Sequence, residues 1–263
     1  MKLAVSNIAW EDNMNESVYK WMQDMGYTGL EIAPTRLFPD SPYSHLHEAG
    51  NWMYRMWEQY HFSIPSMQSI WYGRKECIFG SEAERQSLLH YTHEAIAFAE
   101  CIGCKNIVFG CPRNRNNDKG LPTEIAVDFF RSIAEAAVQH HTCIGLEPNP
   151  EIYGTNFITT TAAAIEFIRM VDHPGLRLNL DFGTMIANNE VPVLPEDTLH
   201  LVNHVHISEP YLALIHRRKE HRALASLLRD FGYRHFVSIE MGRRESFQEI
   251  EDTLRYISSI FYE

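Results

Sequence analysis

Four side chains in the carboxyl-terminal half of the chain have the types and spacing to hold a cation and move a proton. They are Glu147 in CIGLEP, Asp181 in LNLDFG, His206 in HVHIS and Glu240 in VSIEMG. Each ends a short run in which aliphatic residues alternate with small or polar ones. Successive side chains of a strand point to opposite faces. If these four point inward, the outward positions beside them are Ile144 and Leu146, Leu178 and Leu180, Val205 and Ile207, and Val237 and Ile239, all aliphatic. The inward positions two residues earlier are Gly145, Asn179, His204 and Ser238, all small or polar. One choice of parity therefore accounts for four strands at once. Three carboxylates converging in a low-dielectric interior repel one another and would take up protons unless a cation offset them. One divalent ion meets that need. Three oxygen donors and one imidazole nitrogen suit Mn2+, Mg2+, Co2+ or Zn2+ without ranking them. His204, one layer deeper, reads as a packed, hydrogen-bonded histidine or as a support behind the ligands.

Such a cluster requires strand ends that meet. Short β-type runs fall at 2–6, 28–32, 62–67, 105–109, 142–147, 176–181, 203–208 and 235–240. Helical periodicity fills the segments between them. Val18, Trp21, Met22 and Met25 recur at helical spacing, as do Leu224, Leu227, Leu228 and Phe231, and Ile125, Phe129, Ile133 and Ala137. Ser246 with Glu249 predicts a capping box ahead of Ile250, Leu254, Ile257 and Phe261. The weakest connection lies between strands six and seven, with only a short helical piece near 196–201. Alternation of this kind implies a parallel sheet. Eight units predict an α/β fold, a closed (β/α)8 TIM barrel spanning 1–263 as a single domain. An open doubly wound sheet would favour a glycine-rich phosphate turn after the first strand. That strand instead runs into NIAWEDN. In a barrel, residues at the carboxyl ends of strands face the chemistry.

Composition narrows the function classes. Of 263 residues, 34 are acidic and 23 basic, a net charge of −11 that repels phosphate backbones and disfavours nucleic-acid binding. No uninterrupted apolar stretch reaches the roughly 18 residues of a membrane span. The apolar run in MKLAVSNIAWEDN is too short for a secretory signal. Five cysteines, an odd number in a large chain, fit a reducing cytoplasm better than a disulfide framework. Cys101 and Cys104 form a CxxC with no second pair, which makes a zinc site there a poor reading. Homo-oligomerisation is left open.

The motifs GLEPNP (145–150), NLDFG (179–183), HVHISEP (204–210) and SIEMG (238–242) resemble those of the xylose isomerase-like barrel superfamily, in particular its sugar (phosphate) isomerase/epimerase branch. KLAVSNIAW, GYTGLEIAP and IVFGCPRNR support the likeness, which spans essentially the whole chain. The resemblance implies one catalytic metal held by Glu147, Asp181, His206 and Glu240. It also implies that Glu147 and Glu240 both touch the metal and exchange protons with the substrate. The chain departs from ketose 3-epimerases of the tagatose/psicose kind at Leu212, where they carry arginine, and at Thr184, where related enzymes often have histidine. It lacks the additional metal-binding histidines of endonuclease IV-type enzymes after strands three and four.

The expected reaction is isomerisation or epimerisation of a small sugar or related polyhydroxy carbonyl compound. A metal chelated by adjacent carbonyl and hydroxyl oxygens acidifies the neighbouring C–H and stabilises an enediolate, and carboxylates move the proton. Two alternatives use the same parts: a lyase resembling inosose dehydratases, in which the enediolate expels a hydroxyl, and a non-catalytic sugar-binding barrel. Weaker candidates for substrate contact are Asn156 for a hydroxyl, Glu209 for a hydroxyl or for orienting His206, Trp10 and Trp71 as apolar walls, and Arg113 and Arg115 as planar donor forks for a phosphate or carboxylate.

Overall fold

A computed structural model describes residues 1–190 and 194–262. Its strands are β1 (Lys2–Ser6), β2 (Gly29–Glu31), β3 (Ile107–Phe109), β4 (Ile144–Leu146), β5 (Leu176–Asp181), β6 (Val202–Ile207) and β7 (Phe236–Ile239), every adjacent pair parallel. They run in the order β2-β1-β7-β6-β5-β4-β3. The ring closes through residues 62–67. Ser63 bridges Gly29, and Met67 bridges both Ile32 and Ile107. This is the expected barrel with one difference: the third strand is not continuous. Pro65 has no N–H to give a ladder, and Ile32 N–H reaches Ser66 O at 3.2 Å while Leu30 N–H reaches Ser63 O at 3.0 Å. Two residues of β2 thus span three of the partner, and the alternation of faces slips there.

Helices α1 (Asn15–Asp24), α2 (Pro34–Leu37), α3 (Leu46–Tyr60), α4 (Glu82–Cys101), α5 (Glu124–Gln139), α6 (Thr161–Val171), α7 (Phe182–Ala187), α8 (Lys219–Asp230) and α9 (Phe247–Phe261) occupy the connections. A six-residue 3-10 turn, Glu196–Leu201, lies in the connection that the sequence marks as weakest. The capping box forms at Ser81 and Glu84 ahead of α4. Ser246 does occupy the cap position of α9, but its side chain makes no capping bond. No helix among the described residues is long and apolar enough to cross a membrane.

The outward strand positions Ile144, Leu146, Leu178, Leu180, Val205, Ile207, Val237 and Ile239 are completely buried under the helices. Each such side chain contributes about 1.5–3 kcal/mol when removed from water. The interior of the ring is different. Asn106, Asn179, His204, Ser66 and Ser238 fill it, almost fully buried, and Asn106 Nδ2 bonds Ser66 Oγ at 3.1 Å while Asn203 Nδ2 bonds Asn106 Oδ1 at 2.9 Å. Gly145 makes room for this layer, because a Cβ there would lie 2.4 Å from Asn106 Oδ1.

Candidate active site

The parallel register sets the chemistry-bearing side chains at one end of the ring. Asp181, the last residue of β5, pairs with His206 of β6, and one layer down Asn179 pairs with His204. Glu147 and Glu240 immediately follow β4 and β7. One ligand-type atom from each of Glu147, Asp181, His206 and Glu240 lies within 4.8 Å of all the others. The three carboxylates are 7–8% exposed and His206 is completely buried. Inward-pointing parity therefore holds for all four strands.

Neutral donors hold each carboxylate in place. Asn179 Nδ2 donates to Glu147 Oε1 at 2.8 Å, and Asn149 Nδ2 donates to Oε2 at 3.2 Å. Gln68 Nε2 donates to Glu240 Oε1 at 2.8 Å and to Ser6 Oγ at 3.0 Å. Ser208 Oγ donates to Asp181 Oδ2, and Thr184 N–H donates to Asp181 Oδ1, so this carboxylate also caps α7. His206 Nδ1 lies 2.9 Å from Glu147 Oε1 and 3.2 Å from Glu240 Oε2. Its Nε2 faces the other way, 2.9 Å from Glu31 Oε2. His204 Nε2 lies 3.0 Å from the same Glu31 oxygen.

Charge crowding shows in the proton affinities. Burial, with the charge of Glu147 beside it, raises Asp181 to about 6. Burial, with Glu147 and Asp181, raises Glu240 to about 7. Burial opposes a charged His206, but Glu31, Glu240 and Glu147 outweigh it and push the imidazole well above its usual value. Burial likewise opposes a charged Glu31, and the two histidines overcome it, holding that carboxyl below the usual carboxylate range. Protons are thus what hold this acidic centre together in the protein alone. A divalent cation would do the same work with three oxygens and one nitrogen already converged.

A cavity of about 210 Å³ opens at the cluster. Its walls include Glu147, Asp181 and Glu240 together with Gln68, Asn149 and Ser208. Leu212 lines it too, so the departure from the arginine of tagatose/psicose-type epimerases falls on the cavity wall. Thr184 turns its hydroxyl to Pro148 O at 2.8 Å. Gly110 is needed for close approach, since a Cβ there would meet Glu147 Oε2 at 2.8 Å.

The weaker candidates fare unevenly. Glu209 lines the cavity, but Arg218 grips both its oxygens at 2.7 and 2.6 Å and His216 N–H adds a bond at 3.1 Å. Trp10 and Trp71 are not in the cavity wall. Trp10 is fully buried with Nε1 on Asn15 Oδ1 at 2.8 Å, and Trp71 packs edge-on to Phe109 and Phe129 with Nε1 on Thr92 Oγ1 at 2.9 Å. Arg113 is exposed on a 3-10 turn. Arg115 is completely buried, and its guanidinium donates to Glu147 O at 2.9 Å, Asn149 Oδ1 at 3.0 Å and Ile158 O at 3.2 Å. It braces the chain that carries Glu147 instead of offering a fork to substrate. Asn156 is exposed, with Oδ1 accepting from Asn117 N–H at 2.8 Å.

Glu31, Gln68, Asn149 and Ser208 lie at the centre and were not singled out by sequence. Glu31 obeys the same rule as the four ligands, a strand-end carboxylate between outward Leu30 and Ile32, so its signal was present. Gln68 follows the interrupted third strand, where parity slips, and had none.

Comparison with known proteins follows the same line. The family model described as xylose isomerase-like TIM barrel matches residues 19–260. A search of curated proteins finds no match. Among solved structures, 3-keto-D-glucoside 4-epimerase YcjR from E. coli superposes with a TM-score of 0.78 at 21% identity, covering 98% of this chain and 99% of that one. D-psicose 3-epimerase from Clostridium cellulolyticum H10 gives 0.75 at 15% identity, covering 99% of each. An AP endonuclease, family 2, from Brucella melitensis gives 0.74 at 18% identity, covering 98% and 99%. At these identities the likeness is one of fold.

Proposed function

The chain belongs to the xylose isomerase-like TIM barrel family, and from that premise we propose that it is a divalent-metal-dependent isomerase or epimerase of a small sugar or related polyhydroxy carbonyl compound. The observation that carries this reading is the convergence of ligand atoms of Glu147, Asp181, His206 and Glu240 within 4.8 Å beside a cavity into which Gln68, Asn149 and Ser208 also face. These four residues would hold one ion, of the Mn2+, Mg2+, Co2+ or Zn2+ class. When bound, the ion would supply Lewis acidity that polarises a substrate carbonyl and acidifies the adjacent C–H.

The chain's own residues do the rest. Glu147 and Glu240 approach the cavity from β4 and β7, on two sides of the ring, and one takes a proton from the carbon while the other returns one. Asn179, Asn149 and Gln68 aim these carboxylates by donating to them. Gln68, Asn149 and Ser208 offer hydrogen-bonding edges to hydroxyls of a polyol. The concave, partly enclosed site suits a small molecule.

The test is incubation of metal-loaded protein with a panel of ketoses, aldoses and keto-inositols in heavy water. The expected outcome is deuterium at one carbon with the substrate's atoms otherwise conserved, which separates the reaction from dehydration, where one water is lost. Glu147→Gln should keep the fold and abolish the exchange. Full exchange in that variant, or no exchange by the wild type on any of the panel, would overturn the proposal.

A further inference from the structure

We propose that Glu31 is a positioning residue that fixes the ring orientation and tautomer of His206, so that Nδ1 and not Nε2 faces the ion-binding cluster. The inference deepens the metal-site reading above and rests on it. Glu31 ends β2, and His206 lies on β6, 175 residues away in the chain. Both side chains are completely buried. Glu31 Oε2 stands 2.9 Å from His206 Nε2, and the opposite nitrogen, Nδ1, stands 2.9 Å from Glu147 Oε1 and 3.2 Å from Glu240 Oε2.

The chemistry of the two groups makes this arrangement directional. An ionised carboxylate only accepts hydrogen bonds, so the ring nitrogen facing it must carry the proton. Nδ1 faces carboxylates too, those of Glu147 and Glu240, but they belong to the cluster that would hold the ion, so a bound cation would displace the proton from Nδ1 and leave the one on Nε2. A carboxylate behind a ligating imidazole also strengthens it as a donor. His204 steadies Glu31 in turn. Its Nε2 is 3.0 Å from the same oxygen, and its ring stands at 89° to that of His206. The other Glu31 oxygen, Oε1, has no hydrogen-bond partner, and His204 Nε2, though close, makes no hydrogen bond, so the hydrogen bond of this carboxylate goes to His206. Packing alone gives no reason for a lone oxygen of this kind at the centre of the ring.

Glu31→Gln keeps the shape of the side chain but removes the charge, and its amide can donate to Nε2 as well as accept from it, so the tautomer is no longer fixed. Co2+ titrated into the full-length variant should bind about 10–100-fold more weakly than into wild type, with an altered visible absorption spectrum. Removing a buried charge also costs stability, so the changed spectrum of the bound Co2+ is the readout that separates positioning from a merely structural role. Wild-type Co2+ affinity with an unchanged spectrum in Glu31→Gln would overturn the inference while leaving the metal site intact. Failure of wild type itself to take up Co2+ would overturn the metal-site reading, and this inference with it. Should Glu31→Gln not fold, nitrogen-15 spectra of the Zn2+-loaded wild type decide the matter, with the His206 signals identified by His206→Asn. A proton on Nε2 and none on Nδ1 is expected; the reverse assignment would overturn the proposal.

Discussion

The two halves of the ring reach the same centre with different kinds of side chain. The carboxyl-terminal half, β4 to β7, delivers Glu147, Asp181, His206 and Glu240, whose ligand atoms crowd together. The amino-terminal half delivers Ser6, Glu31 and Gln68, whose bonds run to those residues or to one another and hold them in place. The contrast is between groups whose ligand atoms converge on one point and groups that reach across the ring to bond them. A carboxylate pointed at a cavity is free to swing unless neighbouring donors occupy its remaining lone pairs. Glu147 and Asp181 are held by donors of their own half, Asn149, Asn179 and Ser208, whereas Glu240 and His206 are held from across the ring by Gln68 and Glu31, so neither half makes the site alone.

The largest effect that would sharpen this division is Glu240→Gln. It should lower substrate hydrogen exchange by about 10³-fold, or about 4 kcal/mol of barrier, with the thermal midpoint little changed. Exchange within a few-fold of wild type would break the division.

Next comes Arg115→Met, which strips the donors from Glu147 O, Asn149 Oδ1 and Ile158 O inside the protein. Leaving buried acceptors unpaired costs about 1–3 kcal/mol for each group. Stability from urea denaturation should therefore fall by roughly 3 kcal/mol. A loss below about 1 kcal/mol would mean that the buried guanidinium is not the brace its contacts describe.

Gln68→Leu tests the amino-terminal half directly. Losing the 2.8 Å bond to Glu240 Oε1 should weaken metal affinity or turnover by roughly 10–100-fold without unfolding. An unchanged kcat and metal affinity would show that Glu240 is aimed by its own strand alone.

The smallest effect expected is the response to pH. With Glu240 raised to about 7 and Asp181 to about 6 in the metal-free protein, protons compete with a cation for the same oxygens. Metal affinity from calorimetry should thus weaken by about tenfold between roughly pH 8 and pH 6, with protons released on binding. For folding the sign is the opposite of an ordinary ion-paired carboxylate. Both folded-state values are raised, so what these two groups contribute to stability is fully present below the usual carboxylate range. It is lost as pH rises through about 6 and about 7. Metal affinity independent of pH over this range would contradict the proton competition.

Much of this centre was legible because charge and parity carry information together. Aliphatic neighbours at Ile144 and Leu146, or Val237 and Ile239, can pack only outward, which forces Glu147 and Glu240 inward. The same logic covers Glu31, whose neighbours Leu30 and Ile32 are fully buried. The third strand resisted such reading because Pro65 interrupts its ladder, and with it went Gln68. Arg115 resisted for another reason. An arginine in a loop ordinarily reaches solvent, and only the folded chain shows carbonyls of Glu147 and Ile158 gathered around it. Trp10 and Trp71 illustrate the limit for aromatic residues beside strand ends, since an indole serves equally as a wall for a sugar or as filling for the helix layer. Burial and the bonds to Asn15 and Thr92 place them in the packing layer.

Crystals of the protein equilibrated with Mn2+ and measured near the manganese absorption edge put the central claim to its most direct test. One anomalous peak is predicted, about 2.0–2.4 Å from side-chain atoms of all four of Glu147, Asp181, His206 and Glu240. A peak seated elsewhere, or no peak at a saturating concentration, would contradict the account.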